Sequence, residues 1–526
     1  MYKLLFILFI FLIAFTPAIG NVKLRSSNLP IVIIKTSEAE ISDTTLVFGR
    51  MSVIYNENHN RNSTNGPYNN YNGYISIKVR GNTSKSFSKK QYKIETIFPD
   101  NSNNNVSLMG LPKENDWVLY APYIDKTLIR NVFTYDLATK MGHYAPRSRF
   151  CELILNDEYM GVYVLMEKIK RDKNRVNISK LDKTNINGLD VTGGYLLQID
   201  RPDSNEFYWK TPIKNINVQC EYPKTEDLVP EQKAYITKLI NNFEAALYSD
   251  NYQDSVSGYR QYIDLESFVD YFIINELSKN IDAYRLSTYM HKDRDDIDGR
   301  LKMGPVWDYN LAYGGADYNE GYISEGFVAS CTRWWNRIIT DPIFNQALKE
   351  RWTELRYNEL TLTKINYHID SLTTIIDEAK DRNFEKWDIL GEKLWSNYYV
   401  GQNYNDEIDY LANWFSERIK WLDQTIVGND LTDNEIAINI QACPVPFSTN
   451  LTLNISLAVS SIVSIDIYNA SGKKVNTIIN NIPFEAGLHQ IDWDASGLNT
   501  AMSNNIYIVL YRVNGKIIST QKIFRQ

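Results

Sequence analysis

The hydrophobic pattern of the chain changes near residues 426–440, and this change limits the folds that it can adopt. Upstream, residues 230–425 carry apolar side chains at the three- and four-residue spacing of amphipathic helices, as in 230–248. Downstream, β-branched or aromatic runs alternate with turn residues, at 452–457, 463–468, 489–493, 506–513 and 517–523. The sequence therefore predicts a helical region, a polar linker over 426–440 and a small antiparallel β-sandwich over 441–526.

The part of the chain before residue 200 mixes predicted strands with polar loops, so the fold class is expected to be α+β. Two pairs of strand-like segments, each joined by a turn signal, carry this prediction: 74–80 with 91–97, and 149–155 with 159–169. A chain of 526 residues has room for two to four domains and at least one large core.

A charged and then apolar N-terminus indicates the compartment. Lys3 precedes an apolar run over residues 4–15, and small residues follow up to Gly20. This order is typical of a cleaved signal peptide, predicted over residues 1–20, whereas a membrane anchor needs about 20 apolar residues to span the hydrocarbon core. No later stretch approaches that length. We expect the mature chain to leave the cytoplasm and to have no transmembrane helix.

Composition and spacing disfavour several classes of protein. The 56 Lys+Arg residues are outnumbered by 63 Asp+Glu residues, and no basic tract concentrates the charge that nucleic-acid binding requires. The 4 cysteines have no metal-ligand spacing and allow three full disulfide pairings that the sequence does not distinguish. The 5 histidines form no HExxH or HxxxH pair, which argues against a histidine-ligated catalytic metal.

The turn between the first pair of strands is a candidate phosphate site. Residues 81–86 (GNTSKS) are followed by Lys90 and Lys93. Backbone amides in such a turn, with a lysine nearby, could hold a phosphate, and the alternative is an ordinary basic hairpin. Glu167, at the end of the second strand pair, could pair with one of these lysines and orient it, or be a surface glutamate on an edge strand.

Residues 264–315 hold the richest set of chemically useful side chains. Residues 264–279 are predicted to form a helix with Asp264 as its N-cap. An alternating strand over 284–290, a charged loop and a returning strand are predicted to follow as a hairpin.

Two acids, Asp282 and Asp308, flank this predicted hairpin and could therefore lie side by side. One carboxylate could orient a hydroxyl nucleophile and accept its proton, while the other, with Asn310, holds a divalent cation on a nucleotide phosphate. The alternative is that both acids are turn or capping residues without chemistry.

Residues from about 30 to 425 resemble the CotH family, which is named for a spore-coat protein and is similar to atypical, secreted-type protein kinases. Six blocks carry the resemblance, in the family's order. They are KVRGNTS with KKQYK (78–84, 89–93), NDWVLYAPYIDKTLIRN (115–131), GVYVLMEKI (161–169), GGYLL (193–197), NIDAY (280–284) and GPVWD (304–308).

The resemblance implies a two-lobed, protein-kinase-like domain over residues 28–425, with a β-rich N-terminal part and a helical C-terminal part. Its implied activity is ATP-dependent phosphorylation of protein Ser/Thr residues with Mg²⁺ or Mn²⁺. By position in the motifs, Asp282 would be the catalytic aspartate and Asp308, with Asn310, would bind the metal. The implied nucleotide-binding residues are Arg80, Lys90, Lys93 and Glu167.

Two residues depart from the family's pattern. Ser287 stands where many members have an Asn, and Asn310 stands where many have the second Asp of WDxD. An amide oxygen can still bind magnesium but brings less charge, so weaker metal binding or a preference for Mn²⁺ is expected.

The C-terminal part resembles the type A sorting domain of the type IX secretion system, an immunoglobulin-like sandwich. The matching segments are CPVPF, IDIYNASGKKV, AGLHQIDW and NIYIV, at 443–447, 465–475, 486–493 and 505–509. The resemblance implies the type IX machinery as a partner and a secreted or outer-surface location in a bacterium with an outer membrane. The alternative is an adhesive β-sandwich.

The leading hypothesis is a secreted or cell-surface CotH-like kinase whose partner is a protein substrate and which binds no nucleic acid. The alternative is a non-catalytic, pseudokinase-like protein of a surface layer. A third hypothesis is a glycan-associated protein, because aromatic residues make up 13% of the chain.

Overall fold

The computed structural model describes residues 22–37, 40–57, 60–202, 205–428 and 439–525, the last range with gaps at 444, 446, 458–460, 486, 497–505 and 514. The predicted signal peptide over 1–20 and most of the predicted linker over 426–440 lie outside the described residues, so both stay predictions.

The part of the chain before residue 170 is rich in strands, as predicted. Its elements are β1 (Ser26–Ser27), β2 (Ile31–Thr36), β3 (Val47–Ile54), β4 (Asn62–Ser63), β5 (Tyr71–Val79), β6 (Tyr92–Ile97), β7 (Asp116–Tyr120), α1 (Arg130–Lys140), β8 (Ser148–Leu155) and β9 (Glu158–Glu167).

Seven of these strands form a closed barrel in the order β2-β3-β5-β6-β7-β9-β8, with β8 pairing in parallel with β2. Side chains alternate between the two faces of each strand. Ile75 and Ile77 of β5 lie in the barrel core with Trp117 of β7. On the outer face, Val118 and Met166 belong to the core that includes the helices. The outer face of the barrel therefore packs on the helical part.

The helical part follows, with a small sheet in it. Its elements are β10 (Tyr195–Ile199), β11 (Tyr208–Lys210), β12 (Asn217–Tyr222), α2 (Pro230–Leu247), α3 (Leu265–Ser278), β13 (Thr288–Lys292), α4 (Asp295–Asp298), β14 (Lys302–Met303), α5 (Trp335–Ile338), α6 (Pro342–Tyr357), α7 (Leu362–Ile375), α8 (Asp377–Lys386) and α9 (Tyr404–Leu422). The sheet order is β11-β12-β10-β13-β14.

Helix α3 is the central element of this part and agrees with the predicted helix over 264–279. The Asp264 side chain accepts a hydrogen bond from the Ser267 amide at 2.9 Å, which caps the first turn. Every residue from Ser267 to Ser278 is buried, so the helix crosses the core. Because the helix is buried along its length, its C-terminal end fixes the position of the segment that begins at residue 279.

The predicted strand over 284–290 is wrong in its first half. Residues 281–287 form turns, and the strand begins only at Thr288. Tyr284 (φ 67°) and Ser287 (φ 49°) are left-handed, which a strand does not allow. The alternation of apolar and polar residues that suggested a strand has another cause. Tyr284 points into the core, where its hydroxyl donates a hydrogen bond to the buried Glu276 at 3.0 Å.

The C-terminal part contains two antiparallel sheets around one hydrophobic core. The strands are β15 (Asn439–Cys443), β16 (Asn450–Leu457), β17 (Ser461–Asn469), β18 (Lys474–Phe484), β19 (Gly487–Asp494), β20 (Ile506–Val513) and β21 (Lys516–Phe524). Their orders are β15-β16-β19 and β18-β17-β20-β21. The sequence pattern missed β15 and β18. β18 is an edge strand that contains Pro483, and Asn residues interrupt its apolar side chains, so its sequence does not alternate as a strand does.

Two further expectations concern the described residues. No helix among them is long and apolar enough to cross a membrane. Cys151 and Cys220 are buried free thiols, so neither takes part in a disulfide.

Candidate active site

The turn after α3 carries the first of the two predicted acids. Lys279 adopts the left-handed conformation (φ 42°) that stops the helix. Its ammonium group donates to the backbone carbonyls of Ile323 and Glu325. These bonds fix the start of the segment over residues 279–287, hereafter the acid loop, which contains Asp282.

The Asp282 carboxylate is accessible and electrostatically perturbed. Its side chain is 27% exposed, and Oδ1 lies 2.6 Å from Nη2 of Arg285. Burial raises the pKa of Asp282 and the Asp200 carboxylate adds to the rise, while Arg285 and Arg201 oppose it. The net raised pKa makes this carboxylate a better proton acceptor than an ordinary aspartate.

The backbone of the second predicted acid, Asp308, has an uncommon conformation that hydrogen bonds fix in place. It follows β14 through residues 304–307 and has φ 65°, a left-handed value that is uncommon outside glycine. Its N–H donates to the Tyr135 hydroxyl and its carbonyl accepts from Asn280 Nδ2, both at 3.3 Å. The neighbouring Tyr309 N–H donates to Asn131 at 2.6 Å. Backbone outliers of this kind cluster at functional sites.

The Asp308 carboxylate is exposed and has no hydrogen-bond or ion-pair partner within the described residues. Surrounding protein raises its pKa to about 6, the carboxylates of Asp282 and Asp200 add to the rise, and Arg80 opposes it. Asp282 and Asp308 thus lie close enough to repel each other. An unpaired carboxylate beside two others is a place where a cation would relieve repulsion.

The third acid, Asp200, was missed by sequence reasoning. It directly follows β10, and the β10–β13 register pairs Ile199 with Thr288. Asp200 Oδ2 accepts from the Ser287 amide at 3.1 Å, and Oδ1 accepts from the Arg201 amide at 2.7 Å. Its only sequence signal was its place at the end of a strand. The pairing that brings it to the acid loop joins residues far apart in the sequence.

The oxygen atoms of these side chains suit a hard divalent cation that also binds ligands from outside the protein. Within the described residues, no group of three or more histidine, cysteine, aspartate or glutamate side chains is arranged to hold a metal ion alone. Mg²⁺ prefers oxygen ligands and is usually held by one or two carboxylates together with waters and substrate phosphates. Asp308 and Asp200 offer such oxygens. Asn310, two residues after Asp308, is half-buried, and its side chain has no hydrogen-bond partner within the described part of the chain.

Positive charge lines the barrel side of the same region. The Arg80 guanidinium lies over the Trp307 ring, 5.3 Å from its centroid, and Trp307 stacks on Tyr135 at 6.1 Å. Arg80 also lines a cavity of about 610 Å³ with Lys93 and Lys168. Arg80 lies over Trp307, the residue before Asp308, and lowers the pKa of Asp308, so the basic cavity and the acids adjoin. We call this region the cleft.

Four lysines line this cavity, Lys78, Lys85, Lys93 and Lys168, and two of them differ clearly in their surroundings. Lys93 Nζ lies 2.5 Å from Glu95. Lys168 was not expected from the sequence, and burial lowers its pKa to about 8; Lys224 and Lys93 add to this and Asp116 opposes it. Lys168 is therefore a cation whose charge an anionic ligand in the cavity would stabilise.

The structure gives Lys90 and Glu167 other partners than those expected. Lys90 Nζ donates to the Lys85 carbonyl at 2.6 Å, within the turn after β5. Glu167 is fully buried and lies 2.8 Å from Arg147 and 3.8 Å from Arg175. Both alternatives for Glu167 are wrong. It does not pair with a lysine, because the two arginines hold its carboxylate, and it is not a surface residue on an edge strand, because it is buried and β9 lies between β7 and β8 in the closed barrel.

Comparisons with known proteins gave one strong match. No curated protein matches the chain. Among solved structures, the DNA-bound alkylpurine DNA glycosylase AlkC of Pseudomonas fluorescens matches with 14% identity and TM-score 0.14, over 36% of this chain and 54% of AlkC. The Helicobacter pylori proinflammatory kinase CtkA matches with 10% identity and TM-score 0.23, over 64% of this chain and 94% of CtkA. Both TM-scores are low, and no conclusion rests on them.

The family model described as CotH kinase protein matches residues 77–422, which is most of the chain. The match begins in β5 and ends at the last residue of α9, so it includes Arg80, the acid loop and Asp308. The chain belongs to the CotH kinase protein family.

Proposed function

We propose that the protein transfers the γ-phosphoryl group of ATP to Ser/Thr hydroxyls of other proteins. The observation that carries the proposal is the unpaired Asp308 carboxylate, which lies beside Asp282 and Asp200 and near Arg80, a residue that lines a cavity together with lysines. Phosphoryl transfer needs both kinds of group, because basic side chains bind the phosphates while carboxylates hold a metal ion and accept a proton.

The residues divide the chemistry between them. The acceptor hydroxyl oxygen forms a bond to the γ-phosphorus, the bond to the bridging oxygen breaks, ADP leaves, and the hydroxyl proton passes to Asp282. Arg80, Lys93 and Lys168 bind phosphate oxygens from the barrel side. Asp308 and Asn310 hold Mg²⁺ or Mn²⁺, which neutralises charge on the phosphates when bound.

Asp200 compensates for the family's missing ligand at Ser287. Its Oδ2 accepts a hydrogen bond from the Ser287 amide at 3.1 Å, so the carboxylate lies next to this position of the acid loop. A carboxylate there restores negative charge that Asn310 does not supply. We therefore include Asp200 in the metal site.

The wider assignment follows the same reasoning. The β-barrel would be the N-terminal lobe and the helical part the C-terminal lobe of a kinase-like domain, and the C-terminal sheets an immunoglobulin-like sorting domain. The signal-peptide pattern and the sorting-domain resemblance support export by the type IX secretion system to the outer surface or medium, where the substrate would be a protein.

One observation favours a second candidate, a non-catalytic binding protein. Arg285 pairs with Asp282 at 2.6 Å, and a paired carboxylate is a poorer proton acceptor. In this alternative the cleft binds nucleotide or another anion without transferring phosphate.

Phosphate transfer from labelled ATP by the full mature chain, with Mg²⁺ and separately with Mn²⁺, tests the proposal. Asp308→Asn and Asp282→Asn are expected to lower the rate at least 100-fold, the lower end of the range for general acid–base groups. Asp381→Asn, at an acid 80% exposed on α8, is the matched control. Transfer that survives in Asp308→Asn would refute the assignment. Asp308-dependent ATP binding without transfer would support the non-catalytic alternative.

A further inference from the structure

Five aromatic side chains contact one another in sequence across the cleft region. From one end to the other they are Trp387, Tyr123, Phe87, Trp395 and Tyr318. The successive ring centroids are 5.8, 5.8, 6.5 and 5.9 Å apart. These distances lie in the range of favourable ring pairs. We call this set the aromatic row.

Trp395 is the exposed member of the row. It is 55% exposed, and the ten other tryptophans that the structure describes are buried or half-buried. The chain shields its other described indoles, so an exposed indole supported by rings on both sides is a typical feature of a binding surface.

The row ends beside the proposed proton acceptor. Gly321, three residues after Tyr318, packs against Ile281 of the acid loop so closely that a Cβ there would lie 2.8 Å from the Ile281 side chain. The Lys279 ammonium group also donates to the Ile323 carbonyl. In agreement with this, the Asp282 carboxylate adds to the rise that burial causes in the pKa of Tyr318. The Asp317 amide donates to the Ser396 carbonyl at 2.9 Å, so the segment after Asp308 is tied to the segment that carries Trp395.

The other half of the row belongs to the barrel side. Phe87 follows the turn after β5, close to the basic cavity that Arg80 lines. Tyr123 follows β7. The row therefore combines side chains from the barrel and from the helical part, and its Tyr318 end lies near the acid loop that carries Asp282.

Two acids beside the row are paired with basic side chains. Asp317 lies 3.1 Å from Lys393, and Asp282 lies 2.6 Å from Arg285. Each of these two pairs is neutral as a whole. The unsatisfied feature is the ring surface itself.

We propose that the aromatic row binds the acceptor protein, and that it selects a segment with an aromatic side chain or proline a few residues from the phosphorylated hydroxyl. This inference rests on the proposed kinase function. Trp395 is a specificity-determining residue of the acceptor site and does not contact ATP.

A set of short peptides tests the inference. Each peptide has a single serine in an alanine-rich background and one tyrosine at a different distance from it; a peptide without tyrosine completes the set. Phosphate transfer is measured for the mature wild-type chain, Trp395→Ala, Trp395→Phe and Tyr367→Ala, the last at a tyrosine 74% exposed on α7.

Wild type is expected to prefer one or two tyrosine positions. Trp395→Ala is expected to raise KM for those peptides roughly 2- to 10-fold, the range for loss of one ring contact, with KM for ATP and for the tyrosine-free peptide unchanged. Trp395→Phe retains much of the preference, and Tyr367→Ala retains all of it.

The possible failures are distinct. If no wild-type transfer and no Asp308-dependent rise of melting temperature with ATP are found, the kinase function fails and the inference fails with it. If wild type transfers phosphate but Trp395→Ala keeps the same peptide preference, the inference alone is overturned. Retention on insoluble polysaccharide that Trp395→Ala abolishes, with peptide KM unchanged, would instead identify a glycan surface.

Discussion

A buried ion pair beneath the acid loop gives a prediction with a definite magnitude. Arg418 of α9 and Glu276 of α3 are 0% and 1% exposed, and Arg418 Nη2 lies 3.2 Å from Glu276 Oε2. The same carboxylate accepts from the amides of Val328 (3.0 Å) and Ala329 (2.8 Å) and from the Tyr284 hydroxyl (3.0 Å). The pair thus joins α3, α9 and the acid loop.

Replacing Arg418 with methionine keeps the apolar contacts of the side chain and removes the charge. Removing one partner of a buried pair destabilises a protein by about 3–5 kcal/mol, because the other charge stays buried without compensation. Arg418 also donates to the backbone carbonyls of Glu276, Ser324 and Gly326. These acceptors lose their donor as well, so we expect a loss near the upper end, about 5 kcal/mol.

Hydrogen exchange of the α3 amides is the appropriate assay, because it reports the opening of this region rather than of the whole chain. Adding Glu276→Gln to Arg418→Met should recover at least about 1 kcal/mol, since a neutral amide needs no counter-charge. Burial raises the pKa of Glu276 in the wild type, and losing Arg418 raises it further. The instability from ionised Glu276 is present above its folded pKa and fades as pH falls towards the ordinary value, so the deficit should be smaller near pH 5 than near pH 8.

Two results would refute this reasoning. A loss below about 1 kcal/mol in Arg418→Met would mean that the pair contributes no more than a surface ion pair. A double variant less stable than Arg418→Met would mean that the Glu276 carboxylate stabilises the region even without Arg418. We expect the opposite, namely that the uncompensated charge destabilises it.

Three further predictions concern the cleft. Asp308→Asn should stabilise the metal-free protein by about 1 kcal/mol at pH 8, allowing for solvent screening, with the gain fading towards pH 4; urea unfolding in EDTA measures it. The reason is that ionising an acid with a raised pKa destabilises the folded state only above the ordinary aspartate pKa. Arg285→Ala should change stability by less than about 1 kcal/mol and move the acidic limb of the pH–rate profile to higher pH, because Arg285 lowers the pKa of Asp282. Lys168→Met should weaken ATP binding at pH 7 more than at pH 9, as titration calorimetry would show, because the wild-type amine loses its proton near pH 8.

The fold was predictable where local signals and burial agree. The predicted helix over 264–279 was confirmed as Leu265–Ser278, because an Asp N-cap precedes a run of apolar residues that are all buried. The hairpin of β8 and β9 was confirmed because Asn156 and Asp157, at its turn, both adopt the positive φ that asparagine and aspartate tolerate best.

Parts of the site could not be predicted, because they depend on contacts between distant segments. Asp200 reaches the acid loop through the pairing of β10 with β13, and no local pattern encodes that pairing. Pairing of Glu167 with a lysine was one of the two alternatives, yet Arg147 and Arg175, from loops, are the basic residues that contact its carboxylate. The roles of Asp282 and Asp308 came from hairpin geometry and family motifs together, and they remain predictions for the phosphate-transfer assay.

The parallel pairing of β2 with β8 has a consequence for how the N-terminus can be processed. This contact closes the barrel, so none of its seven strands presents an unpaired edge to another molecule. Val22 and Leu24 pack with Ile31 beside the seam. Proteolysis that removed β2 would leave the closed barrel as an open sheet with two unpaired edges, so we expect cleavage within residues 31–36 to promote association between chains.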